Sequence, residues 1–154
     1  MGHNETGIRV IPPFVFLAAY LVAWGVHWLW PLSFGLPSLV RWVAAAILIL
    51  APLSIVPTLF ALFRRANSKY DVRDVPKGLV TDGPFRVSRN PGYLAMIVMS
   101  VGVAILLDNP WILPAIVPAV LVIRYEVIAK EEAILEREFG DDYRRYKARV
   151  RRWL

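Results

Sequence analysis

Ser88-Arg89-Asn90-Pro91-Gly92-Tyr93 ends a basic loop and opens an apolar run that continues to Leu107. Asn followed by Pro is a helix-start signal: Asn suits the N-cap, and Pro at the first helical position gives up an N–H that has no intrahelical partner anyway. The run that follows is a membrane-type helix at the short end for a span. Asp108-Asn109-Pro110 makes a tight turn, and a second apolar run, 111–128, returns the chain to the side it left. Charged residues Arg89 and Glu131-Glu132 therefore stand at the same end of a helical hairpin. This unit sets the reading of the whole chain as all-α and polytopic.

The 154 residues have room for one domain, 1–154. They are 57% hydrophobic, with a mean hydropathy of +0.49, too apolar for an ordinary soluble domain. Upstream lie two more apolar runs, 10–30 and 39–63. Pro52 and Pro57 interrupt the second, which predicts a kink. Four spans result. Cysteine is absent and only His3 and His27 offer imidazoles, which argues against a thiolate or His-rich metal site. His27, among Trp24, Trp28 and Trp30, reads as an interfacial residue in an aromatic belt. The polar Met1–Gly7 carries no positive n-region of a secretory signal.

The net charge of +6 does not indicate nucleic acid, because its distribution follows the positive-inside bias. Of the 18 basic residues, seven lie in 64–92 (Arg64, Arg65, Lys69, Arg73, Lys77, Arg86, Arg89) and eight from Lys130 onward. The turns Pro31–Ser38 and Asp108–Pro110 hold none. Four spans then put the N-terminus, the long loop and the C-terminus in the cytoplasm. Within that loop, Asp71, Asp74 and Asp82 are the acids, and Gly78–Phe85 reads as ordered, with apolar residues between turns.

Beyond Ala129 the helical pattern turns charged, with Gly140 as a stop. Tyr143, Tyr146, Val150 and Trp153 then recur every three or four residues among basic ones, the mark of a basic amphipathic helix that lies on a membrane surface or packs on the core. Glu126 and Lys130 form a favourable i,i+4 pair. Arg124 and Glu126, in the last turns of the fourth run, read equally as snorkelling side chains or functional ones. Glu131-Glu132 taken alone is a solvated helix face. A helix start beside an arginine, however, is also a place for an anionic group.

From Gly78 onward the sequence resembles the isoprenylcysteine carboxyl methyltransferase and phospholipid methyltransferase superfamily of membrane enzymes. The resemblance rests on Gly78-Leu79-Val80 with Gly83-Pro84-Phe85, Arg89-Asn90-Pro91-x-Tyr93, Asn109-Pro110, Glu131-Glu132-x-x-Leu135, Phe139-Gly140-x-x-Tyr143-x-x-Tyr146, and Val150. It implies S-adenosylmethionine-dependent methyl transfer to a lipophilic acceptor, a carboxylate or an amine, at the cytoplasmic membrane face. It implies a cofactor-binding half, 78–154, in which Arg89, Asn90, Tyr93, Glu131, Glu132 and Tyr143 line the site, with Leu79 and Val80 near the adenine. Glu132 and Arg89 are the implied catalytic residues, Glu132 as base toward an amine. Asn90 stands where the family often has His. Two rival readings are a membrane reductase using NADPH, of similar architecture, and a non-catalytic scaffold. The adjacent carboxylates argue against a phosphate-bearing cofactor.

Overall fold

The computed structural model describes residues 7–67 and 76–154. The polar start Met1–Thr6 and the loop residues Lys69, Asp71, Arg73 and Asp74 lie outside the described residues. The fold is all-helical: α1 (Pro12–Leu29), α2 (Ser38–Leu53), α3 (Val56–Arg65), α4 (Pro91–Leu106), α5 (Ile112–Val122) and α6 (Ala129–Arg149). Helices α5 and α6 are joined without interruption by one π-helical stretch, Ile123–Ile128.

Three stretches are long and apolar enough to cross a membrane: Pro12–Leu29, Ser38–Arg65 and Ile112–Arg149. Pro91–Leu106 is a shorter apolar helix. Large apolar side chains stay exposed along α1 and α2, among them Phe14, Leu21, Trp28, Leu39, Ile47 and Leu50. In water such a surface would be a liability; against lipid tails it is the favourable one. The chain is an integral membrane protein.

The expected kink is present, with Ser54 and Ile55 still in right-handed helical conformation. Between α2 and α3 the helix is interrupted at Ser54–Ile55. Ile55 N donates to the Pro52 carbonyl at 3.2 Å, and Ser54 Oγ donates at 2.6 Å to the Ala51 carbonyl that Ile55 would serve in a regular helix; Pro57 in turn has no N–H to give to Leu53. Helix α3 then buries Leu59 and sets Phe63 edge-on to Phe85, ring centroids 5.9 Å apart, which ties the following loop to it.

Helix α2 lies against α4, α4 against α5, and α5 against α1. Gly102 permits the first contact: a Cβ there would come within 2.8 Å of Ile49 Cγ1 and 3.0 Å of Leu48 Cβ. Small residues let membrane helices approach this closely. The core gathers Phe16 and Ala23 of α1, Ala104 of α4, and Ile112, Ile116, Ile123, Val127 and Ile128. Two polar links cross it: Tyr20 Oη to Ser100 Oγ at 2.7 Å, and Asn109 Nδ2 donating to the Ala23 carbonyl.

The turn between α4 and α5 forms as expected, with Asp108 at φ +50°. Asp108 accepts from Ser33 Oγ and Phe34 N and pairs with Arg41 at 3.5 Å. His27 sits at this end of α1, the opposite end of the bundle from Arg89. Beyond the membrane, Gly140 takes φ +49°, ψ −120° inside α6, a conformation that only glycine adopts readily. The helix turns there, and its second part buries Tyr143 and Tyr146.

Candidate active site

The opening of α4 lies where the polar loop, α6 and the segment after α6 converge. Arg89 and Glu132 meet there: Arg89 Nη2 is 2.9 Å from Glu132 Oε1, and the two side chains are 9% and 10% exposed. Arg89 Nη1 also donates to the Lys147 carbonyl. One helical turn into α4, Tyr93 Oη donates to Glu131 Oε1 at 3.0 Å. Arg89 and Tyr93 thus face Glu132 and Glu131 across the hairpin. Tyr143 is buried beside them, its ring centroid 6.1 Å from that of Tyr146. Burial pushes its hydroxyl pKa up, and the charge of Glu132 adds to the effect. Tyr146 Oη donates to the Phe85 carbonyl at 2.8 Å, closing the loop over this face.

Asn90 departs from expectation. It occupies the N-cap position of α4, but no side chain caps that helix. Its Nδ2 donates instead to the Arg152 carbonyl at 2.9 Å, and its own N–H is taken by Ser88 Oγ. The amide side chain therefore fastens the segment after α6 to the helix start. The first N–H groups of α4 are left without a side-chain cap, which preserves the positive end of the helix dipole.

Arg152 was not anticipated. Its Nε and Nη2 reach Glu132 Oε1 and Oε2 at 3.0 and 2.5 Å, a fork on one carboxylate. In the sequence it is one of eight basic residues in the C-terminal stretch, and nothing local sets it apart. Leu79 and Val80 sit elsewhere. They line a cleft of about 610 Å³ with Leu62, Arg65, Ala66, Thr81, Asp82, Gly83 and Arg86, and none of the Arg89–Glu132 group is among its walls. Arg124, lying over the Tyr125 ring at 5.6 Å, is exposed. The Glu126–Lys130 pair forms at 2.9 Å on the surface.

The two glutamates differ in character. Glu132 has both oxygens held by guanidinium groups. Glu131, beyond the membrane-spanning part of its helix, has its carboxyl pushed up to about 7 by burial; the Tyr93 hydroxyl pulls it down and the charge of Glu132 raises it again. Among the described residues, Arg89 Nε is buried without a hydrogen-bond partner. A buried donor without an acceptor is costly unless a ligand supplies one.

The model of the phospholipid methyltransferase family matches residues 39–142, two-thirds of the chain, from the second residue of α2 to just past the turn in α6. The chain belongs to the phospholipid methyltransferase family. A protein of Haemophilus influenzae described only as "Uncharacterized protein" is 42% identical over 62 residues, 40% of this chain and 98% of that one. Protein-S-isoprenylcysteine O-methyltransferase B of Arabidopsis thaliana is 40% identical over 74 residues, 47% of this chain and 36% of the plant enzyme. Its counterpart A is 39% identical over 75 residues, 47% and 37% of the respective lengths. The chain therefore spans little more than a third of either plant enzyme. No solved structure matches it.

Proposed function

We propose that the chain is a single-domain methyltransferase that binds S-adenosylmethionine at the cytoplasmic membrane face, through its half 78–154, and methylates a lipophilic acceptor reached from the bilayer. The observation that carries this reading is Arg89: nine-tenths buried, paired with Glu132, and with its Nε unanswered at the uncapped start of α4. A carboxylate ligand suits that donor and the helix start. An ammonium suits the neighbouring glutamates. The cofactor carries both groups, and the donor set fits it.

When bound, the cofactor supplies an activated methyl group on a sulfonium. The residues have separable tasks. Arg89, steadied by Glu132, holds the carboxylate end. Tyr93, Asn90 and Tyr143 shape the pocket and exclude water, and alignment of this kind supplies much of the rate of a displacement reaction. A carboxylate acceptor needs no base. An amine acceptor must first lose a proton, and Glu131 is better suited than Glu132 to take it, because Glu132 is engaged by two guanidinium groups. Leu79 and Val80 are proposed to approach the adenine from the loop side. Nothing in the geometry favours a nicotinamide cofactor or a purely scaffolding role.

The test is calorimetric titration of the protein in nanodiscs with S-adenosylmethionine and, separately, NADPH. Binding of the first alone is expected, and Arg89→Ala should abolish it. Full affinity retained in Arg89→Ala would sink the assignment.

A further inference from the structure

The segment that follows α6 is built into the site. At Val150 the backbone becomes extended (φ −119°, ψ 129°), and the chain runs alongside residues 88–90. Arg89 N donates to the Arg151 carbonyl at 3.0 Å. Ser88 Oγ and Asn90 Nδ2 donate to the Arg152 carbonyl at 3.2 and 2.9 Å. Trp153 packs against the core. Held by its main chain in this way, Arg152 turns its side chain back onto Glu132 and takes both carboxylate oxygens. Its side chain is 30% exposed, against about a tenth for Arg89 and Glu132.

Two guanidinium groups thus share one carboxylate, and Arg89, Arg152 and Glu132 together carry one positive charge in excess, with Glu131 held beside them by the Tyr93 hydroxyl. A single arginine facing Glu132 would be neutralised by it. With Arg152 gripping the carboxylate from the other side, Arg89 keeps capacity for a second anion, in line with its unpartnered Nε. We propose that Arg152 is a positioning residue for the cofactor's amino-acid end. It pins Glu132 by a planar fork, and so fixes Arg89 and keeps its charge from being fully offset by Glu132 toward the ligand carboxylate. This rests on the methyl-transfer reading and adds a residue to it. The three main-chain bonds of the segment use carbonyls or N–H groups that any residue at position 152 would retain. The side-chain contribution is therefore separable from the folding of the segment.

The test uses full-length protein in nanodiscs and two probes: S-adenosylhomocysteine, which has the amino-acid end, and methylthioadenosine, which lacks it. Arg152→Gln should weaken S-adenosylhomocysteine about tenfold or more, the range for a lost charge-assisted contact, and leave methylthioadenosine unchanged. Arg152→Lys, with the charge but not the fork, should recover part of the loss. In a Glu132→Gln background, Arg152→Gln should have little further effect, because its partner is already gone. Equal weakening of both probes would show a merely structural role and overturn the proposal. So would undiminished S-adenosylhomocysteine binding by Arg152→Gln, or a full loss in the Glu132→Gln background. Should the glutamine variant fail to fold, Arg152→Lys binding S-adenosylhomocysteine as tightly as the unaltered protein overturns it equally. Failure of the unaltered protein to bind either probe defeats the methyl-transfer reading itself, and this inference with it.

Discussion

Replacing Glu132 with alanine leaves two arginines facing each other across the space it occupied. The Arg89 bridge joins side chains that are about nine-tenths buried. Removing one partner from such a pair costs ~3–5 kcal/mol, because the remaining charge stays out of water. The bridge to Arg152 is on a side chain 30% exposed. It contributes at the surface scale, ~0.5–1 kcal/mol, since Arg152 can turn outward when released. Partial escape of Arg89 offsets some of the first figure, so the expected loss is about 3–4 kcal/mol. Glu136 is the internal control. It also pairs with two cations, Arg144 and Lys147, but these are 62% and 42% exposed, and Glu136→Ala should lose no more than ~1 kcal/mol. Unfolding by SDS titration in mixed micelles, followed by tryptophan fluorescence, measures both. The reasoning is refuted if Glu132→Ala unfolds within about 1 kcal/mol of the unaltered protein, or together with Glu136→Ala.

Glu131 gives a pH dependence. With its carboxyl at about 7, methylation of an amine acceptor should rise with pH through that value; Glu131→Gln should remove this limb, and Tyr93→Phe should move it upward, because the hydroxyl now lowers the pKa. Stability runs the other way: the unfolded chain gives up this proton near the usual 4.5, so stability should fall between there and about 7, measured by the same SDS titration. Gly102→Val should separate α2 from α4, a Cβ meeting Ile49 and Leu48 at 3.0 Å or less, at a cost of ~1–3 kcal/mol; unchanged stability would contradict the close approach.

Much of this was legible in the sequence because it is carried by short-range pattern. Apolar run length gave the spans, Asn90-Pro91 gave the start of α4, and a tight turn at Asp108–Pro110 placed Arg89 and Glu131-Glu132 at one end. The last of these worked because a hairpin returns its ends to the same side whatever the details of packing. Arg152 escaped because its partners lie 20 and 62 residues away, and no periodicity reports a contact of that kind. Asn90 was misread in part: local preference makes asparagine a cap, but a main-chain carbonyl from a distant segment competed for its amide. The resemblance set Leu79 and Val80 near the adenine, apart from the charged cluster, and the loop holds them in a cleft beside Leu62 and Arg65 of α3. The kink at Ser54–Ile55 was signalled by its prolines.

The π-helical stretch Ile123–Ile128 acts as a phase setting. An α-helix advances about 100° per residue, so the azimuth at which Glu131 and Glu132 leave the rod is fixed by how many residues are wound between the bilayer and the site. The wide turn absorbs spacing that a regular helix would express as rotation. A deletion of one residue in 123–128 that regularised the winding would leave the azimuth of the charged half nearly unchanged, because the wide turn holds one residue more than a regular turn over the same angle. One residue added in the regular helix between Ala129 and Lys130 would instead swing that half by about 100° around its axis, without altering a single residue of the site. The slack of this rod lies in the wide turn, and its aim lies in the turns beyond.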